Sequence, residues 1–203
     1  MDIFRKLTPE RYKTSQWAGG TTTELYIWPV GASYEKRDFS WRLSTAKVEL
    51  SESDFTKLPG FERVLIPLSG GLTLKHGGEP VFMLGRYHAH RFDGAWDTKS
   101  RGCVIDFNLM MKKGSAEGDA EAAVLKDKEG ISLICGDLGI SRRDVQRAVY
   151  CFEGEVRLFG DRQYLTLAER ELALIDGLSG EIKIEPQNGK PAVIVSVTIG
   201  ACM

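Results

Sequence analysis

The sequence predicts an all-β fold built from two tandem β-barrel-like halves. The chain contains 22 glycines, and its apolar residues occur in short runs that are separated by turn-forming residues. This pattern is typical of many short strands and not of long helices. Strict alternation of side chains in Phe39–Leu50 predicts a strand with Arg42 and Ser44 on one face and Trp41 on the other.

An internal repeat predicts the division into two halves. The segment Val64–Leu74 aligns with Ala148–Leu158, so that Gly70 matches Gly154, 84 residues further along the chain. A second match follows in the same order, because an Asp-Gly pair at Asp93 recurs at Asp176. Two ordered matches at nearly one offset indicate duplication. We therefore expect one half at residues 1–114 and a second at residues 115–203.

The remaining elements are expected to be short strands and tight turns. His76–Glu79 contains the glycines that a hairpin turn requires, and it separates two of these strands. Residues 115–130 are rich in Ala, Glu, Lys and Asp, which is compatible with a short helix or with a connecting strand and loop. Strands are predicted at Thr22–Trp28, Val64–Leu68, Leu72–Lys75, Pro80–Leu84, Arg86–Phe92 and Val104–Met110.

The charge composition argues against two classes of partner. Lys and Arg together number 27 and Asp and Glu 28, which gives a net charge of −1. No basic field is available to hold nucleic acid or an anionic membrane surface. The first ten residues contain no long apolar run, so we expect a cytoplasmic protein without a signal peptide or membrane span.

Five motifs occur along the first 110 residues, in the order Trp17–Glu24, Phe39–Ala46, Phe55–Arg63, Phe92–Gly94 and Gly102–Met110. In these motifs and their order the chain resembles the HutD/Ves family. The resemblance implies a bicupin fold, meaning two jelly-roll cupin halves, and a link with histidine catabolism or its regulation. It implies no established catalytic reaction. One departure lies at Trp17, where a longer Trp-x-Asn-Gly-Gly-Gly run of the family is shortened to Trp-Ala-Gly-Gly.

The histidines predict neither a metal site nor another cofactor site. A metal-binding cupin needs a His-x-His pair, a nearby glutamate and a further histidine from a later strand. Only His88 and His90 supply part of this set, on one face of the strand predicted there, and no histidine follows them. We therefore interpret both as surface or packing residues.

Four polar residues in the predicted strands are the main candidates for ligand binding. Arg42 shares a face with Ser44, and Asp106 shares a face with Asn108. If these faces line a barrel, they bring hydrogen-bonding groups to an otherwise apolar wall, and Arg42 or Arg63 can bind a carboxylate. The alternative is structural: Asp106 pairs with one of the arginines, and Asn108 holds a loop backbone.

The Trp17–Thr23 segment is open to two interpretations. Its glycines expose backbone N–H groups, but it lacks the lysine of a phosphate-binding loop and precedes a strand, where such loops precede a helix. It is either a structural turn packed by Trp17 or the rim of a ligand pocket. In the second case Trp17 and Thr21 are ligand-contacting residues.

Three functions follow from these observations. The first is a metal-independent bicupin that binds a small, anionic, carboxylated metabolite in a binding or regulatory role. The second is a metal-independent cupin enzyme, an isomerase or lyase, in which Asp106 acts as a base. The third is a structural protein whose barrels form a homodimer. The first accounts best for the family resemblance and the missing metal ligands, and catalysis has no well-placed histidine to support it.

Overall fold

The computed structural model describes residues 3–79, 81–126, 130–133, 145–176 and 180–202. These residues form β-strands, apart from loops and a single 3-10 turn at Pro9–Arg11. The all-β prediction is confirmed. Among the described residues, no helix has the length and apolar character needed to cross a membrane.

The chain divides into two compact units. One comprises residues 12–121, and the other comprises residues 3–11 together with the described part of 122–202. The division therefore lies between residues 121 and 122, whereas the internal repeat predicts a division between residues 114 and 115. The N-terminal residues also differ from the expectation, because β1 (Phe4–Leu7) pairs with β17 (Leu172–Ile175) of the second unit.

The unit of residues 12–121 contains two sheets. One has the strand order β2-β3-β4-β11-β6-β9 and the other β5-β10-β7-β8. Its strands are β2 Lys13–Trp17, β3 Gly20–Trp28, β4 Trp41–Val48, β5 Glu52–Asp54, β6 Phe61–Ser69, β7 Leu72–His76, β8 Val81–Leu84, β9 His90–Asp93, β10 Thr98–Arg101 and β11 Val104–Lys112.

The second unit also contains two sheets, with the orders β12-β19-β14-β17-β1 and β13-β18-β15-β16. The strand β12 leads into this unit from the first. The further strands are β12 Ala116–Leu125, β13 Ile131–Leu133, β14 Val145–Glu153, β15 Val156–Gly160, β16 Gln163–Leu167, β18 Ile182–Pro186 and β19 Ala192–Ala201.

The two units repeat one strand arrangement. The order β4-β11-β6-β9 corresponds to β12-β19-β14-β17, and the order β5-β10-β7-β8 corresponds to β13-β18-β15-β16. The turns that contain Gly70 and Gly154 are equivalent, and both glycines have positive φ, at 71° and 84°. The strands β6 and β7, which flank Gly70, are not paired with each other but belong to different sheets.

The structure also decides the predictions for residues 115–130, for the strand at Arg86–Phe92 and for the hairpin at His76–Glu79. Residues 116–125 form a strand and no helix, while residues 127–129 and Gly177 lie outside the described residues. The strand expected from Arg86 begins only at His90, because Tyr87 has a φ of 69° and the His88 amide donates to the Gly85 carbonyl in a turn. The hairpin at His76–Glu79 is confirmed by the antiparallel pairing of β7 with β8.

Candidate functional site

A cavity of about 220 Å³ lies in the unit of residues 12–121. Strands β2, β3, β4, β11 and β6 of the larger sheet contribute one wall, and β5 with the residues after it contributes another. Six of the seven residues proposed from the sequence contribute to its lining, and Thr21 does not. The lining is Ser15, Trp17, Thr22, Tyr34, Arg42, Ser44, Ala46, Val48, Ser53, Asp54, Phe55, Thr56, Arg63, Asp106, Asn108 and Met110.

Strand register explains why these polar side chains converge. In antiparallel pairing, residues directly opposite each other present their side chains on the same face. Asn108 of β11 lies opposite Ser44 of β4, and Met110 lies opposite both Arg42 of β4 and Arg63 of β6. Period-2 alternation then adds Asp106 to the same face. The sequence predicted which polar side chains share a face within a strand. The pairing register then places the polar faces of β4, β6 and β11 side by side in one wall.

Arg42 is engaged by other side chains of the protein. Its Nε donates to Glu24 Oε2 at 2.6 Å, and its Nη1 donates to Ser44 Oγ at 3.1 Å. The guanidinium also lies over the Tyr34 ring, 4.7 Å from the ring centre. The positive charge of Arg42 is therefore neutralised by Glu24, which makes it a poor candidate for the anchor of an anionic ligand.

Arg63 has the opposite character. It is buried, with its guanidinium 4.7 Å from the centre of the Phe55 ring and 5.2 Å from that of Phe92. Its Nε is buried without a hydrogen-bond partner, and within the described part of the chain no ion pair engages it. Burial lowers the pKa of Arg63 to about 10, although the nearby Tyr34 and Asp106 act in the opposite direction. Arg63 is thus a charged arginine held between two rings with unused donor capacity.

Asp106 is a buried acid without an ion-pair partner. Its relative exposure is 2%, and among the described residues no salt bridge or hydrogen bond joins it to Arg42 or Arg63. Burial raises the pKa of Asp106 to about 7, and the attraction of Arg63 only partly opposes this. The structural ion pair that the sequence left open is therefore wrong for Asp106, because Glu24 pairs with Arg42 and Arg63 stays unpaired.

The structural alternative for Asn108 was that its side chain holds a loop backbone, and the structure differs from this. Its Oδ1 is buried and has no hydrogen-bond partner, so this oxygen does not hold a loop backbone. A buried amide oxygen without a donor costs about 1–3 kcal/mol, a cost that a ligand donor would offset.

The segment that contains Trp17 is both a structural turn and part of the cavity lining, the two interpretations that the sequence left open. Ala18 and Gly19 form the two-residue connection of the β2-β3 hairpin, with Trp17 opposite Gly20. The Trp17 ring covers Gly19 so closely that a Cβ there would lie 2.0 Å from a ring carbon. Trp17 therefore packs the turn and also lines the cavity. Thr22 lines the cavity in place of Thr21, because neighbouring residues of a strand point to opposite faces.

Three residues that determine the properties of the cavity were not among the site residues proposed from the sequence. Glu24 neutralises Arg42, Tyr34 covers it, and Phe55 covers Arg63. Glu24 and Phe55 both lie in motifs that carried the family resemblance, so position in a motif was the available signal. Tyr34 lies in a loop between β3 and β4, and nothing in its local pattern marks it.

The sequence model of one family matches residues 9–193 of the chain, which is most of its length. The chain belongs to the HutD family. No curated protein matches the chain in sequence at a significant level.

Solved structures similar to this HutD-family chain share its fold. The conserved protein of unknown function PA5104 from Pseudomonas aeruginosa is 20% identical, with 98% of each chain covered and a TM-score of 0.78. HutD from Pseudomonas fluorescens SBW25 is 19% identical, with 98% of each chain covered and a TM-score of 0.71. A variant of oxalate decarboxylase from Bacillus subtilis is 6% identical over 95% of this chain and 76% of that chain, with a TM-score of 0.64. These likenesses make the fold cupin-type.

Two histidines of this HutD-family chain form a packed pair that no local sequence pattern indicates. His76 Nε2 and His90 Nε2 are 2.9 Å apart, and His76 Nδ1 lies 2.8 Å from Thr98 Oγ1. The two rings are nearly parallel, and the His76 ring also contacts Phe92. Burial lowers the pKa of both histidines, and for His76 the proximity of His90 adds to this effect.

His88 takes no part in that pair. It is exposed, and its Nδ1 lies 3.0 Å from the Arg86 carbonyl oxygen. His88 precedes β9 in a turn, so it does not share a strand face with His90, and that expectation is wrong. In the described ranges, no group of three or more His, Cys, Asp or Glu side chains is arranged to hold a metal ion.

Proposed function

We propose that the protein is a metal-independent bicupin that binds a small carboxylated metabolite in the cavity of residues 12–121. The bicupin assignment is supported by the strand order that recurs in both units. A binding or regulatory role linked to histidine utilisation is supported by membership of the HutD family. Each half of the protein would be one cupin-type barrel.

One observation carries the ligand assignment. Arg63 is a buried cation on the cavity wall, and the described residues offer it neither an ion pair nor a hydrogen bond. Burying an unpaired charge costs several kcal/mol unless a counter-charge arrives. A carboxylate is well suited to this position, because it can accept two parallel N–H bonds from one guanidinium.

The remaining groups narrow the ligand further. Arg42 contributes no free charge, since Glu24 neutralises it. Phe55, Tyr34 and Met110 add apolar and aromatic surface to the lining. The cavity volume of about 220 Å³ limits the occupant to a small molecule. The proposed ligand is therefore a compact organic carboxylate with an apolar portion.

Calorimetric titration at pH 6 with matched pairs of compounds tests this proposal. Butyrate, benzoate and succinate are compared with butyramide, benzamide and succinamide, which lack the negative charge. We expect at least one carboxylate to bind and its amide to bind at least about tenfold more weakly, which corresponds to a charge-assisted bond of about 1.4 kcal/mol.

Two variants provide the control. Arg63→Met should abolish the preference for the carboxylate, because it keeps the side-chain bulk and removes the charge. Arg101→Met removes an exposed arginine that pairs with Glu52 outside this cavity and should leave binding unchanged. Failure of all three carboxylates to bind, together with a stable dimer in sedimentation, would instead favour the structural dimerisation function.

A second candidate function has one specific observation in its favour. Asp106 lies in the cavity wall with a pKa of about 7, which suits a general base at neutral pH. An isomerase or lyase would use it to remove a proton next to the ligand carboxylate. Incubation of butyrate or succinate in D₂O distinguishes the candidates, because both carry hydrogens on the carbon next to the carboxylate. Deuterium incorporation that Asp106→Asn abolishes supports the enzyme, and unchanged ligand supports the binding protein.

A further inference from the structure

We propose that the cavity takes up a monocarboxylate together with one proton, which binds to the Asp106 carboxylate. This inference rests on the proposed function and concerns how binding at the same site is regulated. A rise in pH through neutrality would then release the ligand.

The charged side chains in the buried wall of the cavity fall into two sets of opposite charge. Arg42 and Glu24 form a neutral pair. Arg63 and an ionised Asp106 also sum to zero, although they are not joined by an ion pair. The cavity is therefore already neutral when Asp106 is ionised.

The other titratable groups at the cavity leave this balance unchanged. Asp54 of β5 is exposed and lies 3.4 Å from the ammonium of Lys99, a residue that does not line the cavity, so Lys99 balances its charge. The loop before β4 contributes Tyr34, whose ring lies against the Arg42 guanidinium. No histidine is among the residues that line the cavity.

An incoming monocarboxylate would disturb the balance. With Asp106 ionised, the filled cavity would hold one uncompensated negative charge in a buried site, which is strongly unfavourable. Protonation of Asp106 restores neutrality. The protonated carboxyl also gains an O–H donor, which can bond to a ligand oxygen while Arg63 donates its N–H groups to the same carboxylate.

The titration of Asp106 gives the direction of the pH dependence. Burial raises the pKa of Asp106 to about 7 in the free protein, and a neighbouring ligand carboxylate would raise it further. Below pH 7 the proton is already present, so binding is insensitive to pH. Above pH 7 the proton must come from solvent, so affinity falls with rising pH. Butyrate and benzoate remain ionised throughout this range, so their own titration does not contribute.

Calorimetric titration of the full-length protein with butyrate and benzoate tests the inference. Between pH 6 and pH 8 the Kd should increase about tenfold, since one proton is taken up per ligand above a pKa of about 7. At pH 8 the apparent enthalpy should differ between phosphate and Tris buffers in the direction of proton uptake. This buffer comparison uses the unmodified protein and does not depend on any variant folding.

The variants locate the proton. Asp106→Asn is neutral at every pH and donates an N–H, so its Kd should not change between pH 6 and pH 8. Asp54→Asn also removes an acid from the cavity lining and should retain the tenfold dependence.

Two results would overturn this inference while leaving the proposed function intact. One is tight, pH-independent binding by the unmodified protein, and the other is a pH dependence that persists in Asp106→Asn. If neither monocarboxylate binds at any pH from 6 to 8, both the proposed function and this inference fail.

Discussion

Arg42 and Arg63 show how two buried arginines on one sheet face come to differ in role. Both side chains line the cavity and both lie over aromatic rings. Arg42 is opposite a strand that supplies Glu24 within reach, whereas Arg63 is placed between Phe55 and Phe92. The first arginine forms an ion pair within the protein. The second has no such partner among the described residues, and we propose it as the anchor of the ligand carboxylate.

This difference predicts unequal effects on stability. Arg42→Met should lower the free energy of unfolding by roughly 2–4 kcal/mol, because it leaves the largely buried Glu24 carboxylate without its partner. At pH 6, where Asp106 is protonated, Arg63→Met should cost less than about 1 kcal/mol, because it leaves no ionised partner behind and replaces a buried charge by an apolar chain. Urea denaturation measures both.

A second substitution controls this comparison. Glu24→Gln in the Arg42→Met background should recover much of the loss, since it removes the unpaired charge. Equal losses for the two arginine variants would contradict the assignment of different roles.

The strand-to-strand turns at Gly70 and Gly154 are the elements that repeat most clearly between the units. Each glycine connects a strand of one sheet to a strand of the other sheet in its unit, β6 to β7 and β14 to β15. Each has positive φ, and a Cβ would lie 2.8 Å from the Cys103 carbonyl oxygen at Gly70 and 2.7 Å from the Pro191 carbonyl oxygen at Gly154. Both positions therefore require glycine for its backbone conformation and for close packing.

We expect Gly70→Ala and Gly154→Ala each to destabilise the protein by roughly 2 kcal/mol or more. The left-handed conformation costs an L-residue about 1–2 kcal/mol, and the backbone contact adds to this. Gly78→Ala is the matched control, because nothing lies within 4 Å of a Cβ there. Thermal denaturation should show a lower Tm for the first two variants only, and a large effect of Gly78→Ala would contradict the explanation.

At the scale of the whole molecule, the N-terminal residues complete the unit that the C-terminal residues form. The strand β1 adds to the edge of β17, and Ile3 belongs to the same apolar core as Val149 and Ile182. The Asp176 amide donates to the Ile3 carbonyl, and Lys6 pairs with Glu171 at 2.6 Å. Contacts between residues that are far apart in the sequence therefore hold this unit together.

Deletion of residues 1–7 should loosen this unit selectively. Removal of β1 exposes the edge of β17 and removes Ile3 from the core, so amide hydrogen exchange of Leu172–Ile175 should become faster. The amides of β4 and β11 serve as an internal control, because they belong to residues 12–121. Equal acceleration in both places would show that the N-terminal residues stabilise the protein globally.

The sequence alone determined the strand-rich fold, the repeat and most of the candidate site. Period-2 alternation placed Arg42 with Ser44 and Asp106 with Asn108, because alternation is a local property of the backbone. The family motifs identified the cupin-type fold correctly. Local pattern also sufficed for the hairpin at His76–Glu79, since glycine reaches the required conformation.

Only the tertiary structure decided which side chains contact one another. Glu24 reaches Arg42 across neighbouring strands, Phe55 and Phe92 enclose Arg63, and His76 meets His90. Each of these contacts depends on the register of two strands or on the path of a loop. A strand's own sequence specifies which of its side chains share a face, but the pairing of strands specifies what those side chains face, and that pairing is set by packing over the whole unit.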